Sequence, residues 1–173
     1  MKEAAPQIRQ AIREGNTEEA VKLLLQMGEK ESVPLFEKWS EANQQYTSHL
    51  IGIEEWARTQ AQIYQNILEK DFMKETEILK NPSSEIRAKA IQLLQERKTE
   101  QAITLCEGYG DQYLLLKAQL NAAKRHCDTS LLESEFFEAT KSKLNDTLQT
   151  LIAQVMEPPP SEGWFVKILR RLT

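Results

Sequence analysis

Histidine and cysteine are scarce in this chain, with two of each in 173 residues. His49, His126, Cys106 and Cys127 form none of the CxxC or HxxxH spacings from which zinc sites are built, so no metal and no cofactor is expected. His126 and Cys127 are adjacent, but neighbours on a helix point about 100° apart and share a proton poorly. Catalysis by a thiolate is therefore not expected, and Cys106 reads as a reduced core thiol. No apolar run approaches the roughly 18 residues of a membrane helix. The N-terminal MKEAAPQIRQ lacks the apolar stretch of a secretory signal. A cytoplasmic location without a membrane span is the expectation. Basic charge is not in excess, with a formal net charge of -4, which argues against general nucleic-acid binding, since that draws on clustered lysine and arginine. The GYG at 108–110 lacks the lysine and the length of a phosphate loop. Alternating β-branched runs are missing too, and an all-α fold follows.

What the chain does have is a repeat. IRQAIREGNTEEAVKLLL, from Ile8 to Leu25, returns as AIQLLQERKTEQAITLC, from Ala90 to Cys106, with Thr17 over Thr99 at a shift of 82 residues (99 − 17). Ile12 meets Leu94, Ala20 meets Ala102 and Val21 meets Ile103. Each copy reads as a short helix, a break and a second helix. In the first, Gly15 can end a helix at positive φ. Asn16 and Thr17 offer cap oxygens, and Glu18 and Glu19 place negative charge in the first turn. The second copy has Arg97 and Lys98 at the break, leaving Thr99 as the good cap and predicting a tighter or frayed turn.

A long helix opens at Val33 and Pro34, with a seam of Phe36, Trp39, Asn43, Tyr46 and Leu50, and ends at Ile51 and Gly52. A second long helix runs from Ile53 to Phe72. Residues 1–73 thus form one unit, 74–84 a linker marked by Asn81-Pro82-Ser83-Ser84, and 85–157 a second unit. The second unit repeats the plan: a hairpin from Ser84 to Glu107, a long helix from Asp111 to about Cys127, and another to Met156. Asn121 takes the place of Asn43, Phe137 of Trp56, Leu144 of Ile63 and Leu148 of Ile67. Each half alone is near the lower limit for a self-sufficient core, so the two are expected to pack together. The expected architecture is two tandem four-helix units, each a short helical hairpin plus a long antiparallel hairpin, and a short C-terminal amphipathic helix.

The candidate binding residues lie in that last segment, 158–173, after Pro158-Pro159-Pro160. Trp164, Phe165, Ile168, Leu169 and Leu172 share one face, with Arg170 and Arg171 largely off it. The segment either docks on the helical body or offers its apolar face to a groove on a partner protein or, with its basic residues, to a membrane surface. Trp39, Trp56, Tyr46 and Tyr64 read as core packing rather than a ligand box. The pairs Glu18-Glu19 and Glu54-Glu55 sit at helix starts, where the helix dipole explains them without catalysis. Asn43 and Asn121 are either buried residues that set register or surface contacts.

IRQAIREGNTEEAVKLL, then SEANQQY, then IEEWARTQAQIYQNIL after Gly52, resembles the bacterial effector-associated domain of the eleventh type. AIQLLQERKTEQAITL, LLLKAQLNAAKR and LLESEFFEATKSKLNDTLQTLI resemble a second, diverged copy, with Ser130 where the family shows glycine. The resemblance implies a non-enzymatic adaptor that associates homotypically and couples sensors to effectors in a bacterial defence or conflict system. Its partners would be another effector-associated domain, or a protease or ATPase effector, and a homo-oligomer is possible. The alternative is a tetratricopeptide-like scaffold binding peptides, whose period of about 34 residues does not match this one.

Overall fold

The computed structural model describes residues 4–29, 31–74, 81–127 and 134–154, which are helical throughout with no strand among them. In chain order the helices are α1 (Ala4–Arg13), α2 (Thr17–Gln26), α3 (Ser32–Thr47), α4 (Ile53–Leu68), α5 (Asp71–Lys74), α6 (Ser84–Gln95), α7 (Thr99–Cys106), α8 (Asp111–Cys127) and α9 (Ser134–Gln154). A 3₁₀ turn at Glu107–Tyr109 joins α7 to α8. The segment expected as one long helix to Phe72 is instead two, because α4 stops at Leu68 and α5 restarts at Asp71.

The breaks follow backbone chemistry. After α1, Gly15 takes φ 68°, with its N–H on Ile12 O and the Asn16 N–H on Ala11 O, the paired bonds of a Schellman turn. After α6, Arg97 takes φ 59°, with Arg97 N–H on Leu94 O and Lys98 N–H on Leu93 O. The second turn is therefore the same turn, neither tighter nor frayed, with an arginine strained into the left-handed region where the first copy has glycine. α3 closes the same way through His49 at φ 58°, two residues past Thr47. Its end is thus not set by Gly52, which lies at φ -80° as the N-cap of α4. Leu50, expected on the buried seam, falls outside the helix and is 75% exposed.

N-capping also divides differently from expectation. Asn16 caps α2, its side chain accepting the Glu19 N–H at 3.3 Å, and Ser83 caps α6 by accepting the Ile86 N–H. Lys98 occupies the N-cap of α7 and makes no side-chain cap. Thr17 and Thr99 lie inside the first turn and are each 3% exposed; their hydroxyls turn inward instead. Thr17 Oγ1 reaches Tyr64 Oη on α4 at 2.6 Å, and Thr99 Oγ1 reaches Asn145 Oδ1 on α9 at 3.2 Å.

Two apolar clusters result. Ile8, Ile12, Val21, Leu24, Ile63 and Ile67 centre the first, and Leu94, Ile103, Cys106, Leu144, Leu148 and Ile152 the second. α8 belongs to both. Tyr113, Leu116 and Leu120 face the second cluster, while Leu114 and Ala118 are buried in the first. At 100° per residue these sets lie on opposite sides of one helix. α8 thus packs against α1 and α4 as well as against α7 and α9. A helix with apolar residues on two opposite sides can be buried on both, and the 113–123 stretch of α8 is, while Gln112, Lys124 and Arg125 stay exposed.

Candidate functional site

The seam made by α8 is tied at its rim by polar contacts. Arg9 Nη1 lies 2.6 Å from Asp111 Oδ1 at the start of α8, and Arg9 Nη2 donates to Met73 O at 3.0 Å. Asn121 Nδ2 donates to Arg13 O at 2.6 Å, meeting one of the carbonyls that a helix C-terminus leaves open. Arg125 and Glu14 close the far end at 3.9 Å. Gly15 sits directly on α8: a Cβ there would come within 2.4 Å of Ala122 N and 2.9 Å of Ala122 Cα. Asn121 is thus a cross-seam tether. Its counterpart Asn43 borders a shallow cleft with Thr17, Trp39 and Trp56.

Where α4, α8 and α9 meet, the packing leaves a cavity of about 290 Å³. Four alanines, Ala57, Ala61, Ala122 and Ala123, keep it open, and Trp56, Tyr64 and Phe136 border it. Trp56 also stacks on Tyr46, with centroids 5.4 Å apart. The first-half aromatics therefore divide. Trp39 packs against the core, whereas Trp56 and Tyr64 do double service as core and cavity wall.

The cavity wall carries a buried polar group. Gln60, 3% exposed, shares the Thr17 hydroxyl with Tyr64 through its Oε1. Its Nε2 is buried and has no hydrogen-bond partner. Buried amide donors are nearly always satisfied; Gln60 borders both this cavity and the cleft beside Asn43. Burial pushes the Tyr64 phenol up to about 12, with the Thr17 hydrogen bond pulling weakly the other way. At the mouth, Lys143 Nζ pairs with Glu54 Oε1 at 3.6 Å. Arg58 is exposed, borders the cavity and has no carboxylate partner among the described residues.

Other expected features fall as follows. Glu18 and Glu19 occupy the first turn of α2, and Glu54 and Glu55 that of α4. Glu18 also pairs with Lys22 one turn on, which raises the Lys22 ammonium, first through that hydrogen bond. Cys106 is fully buried, and burial pushes its thiol up to about 11, away from thiolate chemistry. No group of three His, Cys, Asp or Glu side chains among the described residues is placed to hold a metal ion. No described helix is long and apolar enough to cross a membrane. Trp164, Phe165, Ile168, Leu169, Arg170, Arg171 and Leu172 lie outside the described residues.

Sequence reasoning missed the seam and the cavity. The signal for the first is YLLLKAQLNAA, residues 113–123, which places apolar side chains on every side of a helix, whereas α3 alternates them with charge. The cavity has a weaker trace: the alanine pairs 57/61 and 122/123 mean little until α4 and α8 are known to face each other. No protein-family model matches the chain, and neither a curated protein nor a solved structure matches it significantly.

Proposed function

We propose that the chain is a non-enzymatic adaptor built from two tandem, diverged effector-associated-like units, joining proteins in a bacterial defence or conflict pathway. The observation that carries the tandem reading is the paired placement of matched residues. Thr17 and Thr99 are buried first-turn threonines, each bonded to the long helix of its own half. Gly15 and Arg97 take the same left-handed turn. Ala20 and Ala102 are both fully buried. Absence of a catalytic motif in the sequence agrees with a binding role. The partners on this reading are another domain of the same type or a protease or ATPase effector.

The seam bears on how such an adaptor would associate. If α3 offered the face that α8 uses, chains could add head to tail through repeated seams, giving an open filament. With Asn43 over Asn121, the α3 counterparts of Leu114, Ala118 and Ala122 are Phe36, Ser40 and Gln44; Phe36 packs against the core of its own half, and Ser40 and Gln44 are exposed and polar. The seam is thus an internal joint, closed after one use. Homotypic association must then use another surface, and the amphipathic residues Trp164 to Leu172 are the element we assign to it.

Light scattering coupled to size exclusion tests this, on the full chain and on one ending at Glu157. A full-length dimer with a monomeric truncation supports the adaptor reading. Monomers in both cases would refute homotypic association, and an unchanged dimer would move the interface off the C-terminal segment.

A further inference from the structure

The cavity between α4, α8 and α9 has properties that protein association does not explain. It lies in the wall of the body, not on a flat face. Its volume of about 290 Å³ sits at the lower end of the range for small-molecule sites, enough for one or two rings. Its lining is mainly apolar, as such sites are. A large side chain at any one of Ala57, Ala61, Ala122 or Ala123 would fill it. Gln60 Nε2 is a buried donor without a partner, and Arg58 at the mouth is a cation without a carboxylate among the described residues. Together they define a ligand by complementarity: flat apolar rings, an acceptor oxygen at the inner end and an anionic group at the outer end.

We infer that this cavity binds a small aromatic carboxylate, its rings against the alanines between Trp56 and Phe136. A hydroxyl or carbonyl oxygen of the ligand accepts from Gln60 Nε2. Its carboxylate meets the Arg58 guanidinium, whose planar donor fork suits that geometry. Because α4 comes from the first half and α8 and α9 from the second, the ligand touches both halves at their joint. Binding there stabilises the joint by mass action, which goes beyond the adaptor reading and gives that adaptor a chemical input.

The test is calorimetric titration of the full chain with 6-hydroxy-2-naphthoate, with 2-naphthol as the probe that lacks the carboxylate. The expected result is saturable binding of the naphthoate with Kd between about 10 µM and 1 mM, and weaker binding of the naphthol. Arg58→Glu, an exposed substitution that leaves the core untouched, should weaken the naphthoate by about tenfold and leave the naphthol unchanged. Gln60→Met, which keeps the volume and removes the donor, should weaken both probes by about three- to tenfold. Ala61→Phe should abolish binding, with circular dichroism confirming that the variant is folded. No saturation by about 5 mM naphthoate would overturn the proposal. So would equal affinity of the two probes for the wild-type chain, or unchanged naphthoate affinity in folded Arg58→Glu and Ala61→Phe.

Discussion

Gly15 offers a clean measure of how firmly α8 is seated. Gly15 and Gly28 have nearly the same backbone, φ 68° and 70°, but a Cβ at Gly28 meets nothing within 4 Å, whereas at Gly15 it would come within 2.4 Å of Ala122 N. Alanine at either position incurs the left-handed penalty, about 1–2 kcal/mol, and the same change in unfolded-chain entropy. Only Gly15→Ala also forces α1 away from α8, adding about 1–3 kcal/mol of overpacking, because the obstructing atoms are helix backbone and cannot rotate aside. Displacement of α1 also stretches the bond from Asn121 to the Arg13 carbonyl. The prediction is a loss of about 2–5 kcal/mol for Gly15→Ala, the sum of those two terms, against about 1–2 kcal/mol for Gly28→Ala. Urea unfolding followed by circular dichroism reads the difference as a midpoint gap of about 0.5–1.5 M. Equal midpoints would mean that α1 does not abut α8 and that the seam is drawn wrongly.

Three further outcomes follow from single residues. Arg97→Gly should stabilise the chain by about 1 kcal/mol, since glycine adopts φ 59° without strain; a destabilised variant, by thermal melt, would contradict the shared-turn argument. Tyr64 is held neutral by burial, so its phenol titrates near 12 when folded and at its ordinary value of 10.0 when unfolded. Stability is thus intact below pH 10.0, falls as pH rises to about 12, and loses up to about 3 kcal/mol over that window. Tyr64→Phe should remove that part of the alkaline slope, seen by urea unfolding across the range. In a Cys127→Ser background, Cys106 should react with a thiol reagent at neutral pH only as fast as the protein opens, and labelling at the rate of a free thiol would place it at the surface.

How far the fold could be read from the sequence depended on whether a residue's role was local. Ala20, Leu24 and Met27 mark a helix by spacing alone, and Gly15 marks a break because its φ is a property of glycine. Arg97 and His49 hold the same conformation without the residue type that announces it, since the paired backbone bonds around them outweigh a local penalty. Thr17 and Thr99 look like caps in sequence, but their hydroxyls are claimed by Tyr64 and Asn145, whose proximity only the tertiary packing creates. The candidate site was less legible. Gln60 is an ordinary surface-type residue until α4 is laid against α8, and its unpartnered nitrogen has no signature in the order of residues. α8 is the instructive case, because Leu114 and Ala118 were readable as apolar, yet nothing local says that their partners lie about a hundred residues earlier, as Ile8 and Ile12 do.

The central claim is that α8 completes the first half, so that the chain is one body with a fixed joint. The direct test is to produce residues 1–80 and 81–173 separately and to follow helicity and thermal melting of each, alone and mixed. The first fragment lacks Leu114 and Ala118 and leaves the α1–α4 face open to water. It should therefore melt without cooperativity, and should gain a sigmoidal transition only when the second fragment is added. A first fragment that melts cooperatively on its own, at the temperature of the full chain and unmoved by its partner, would contradict the account.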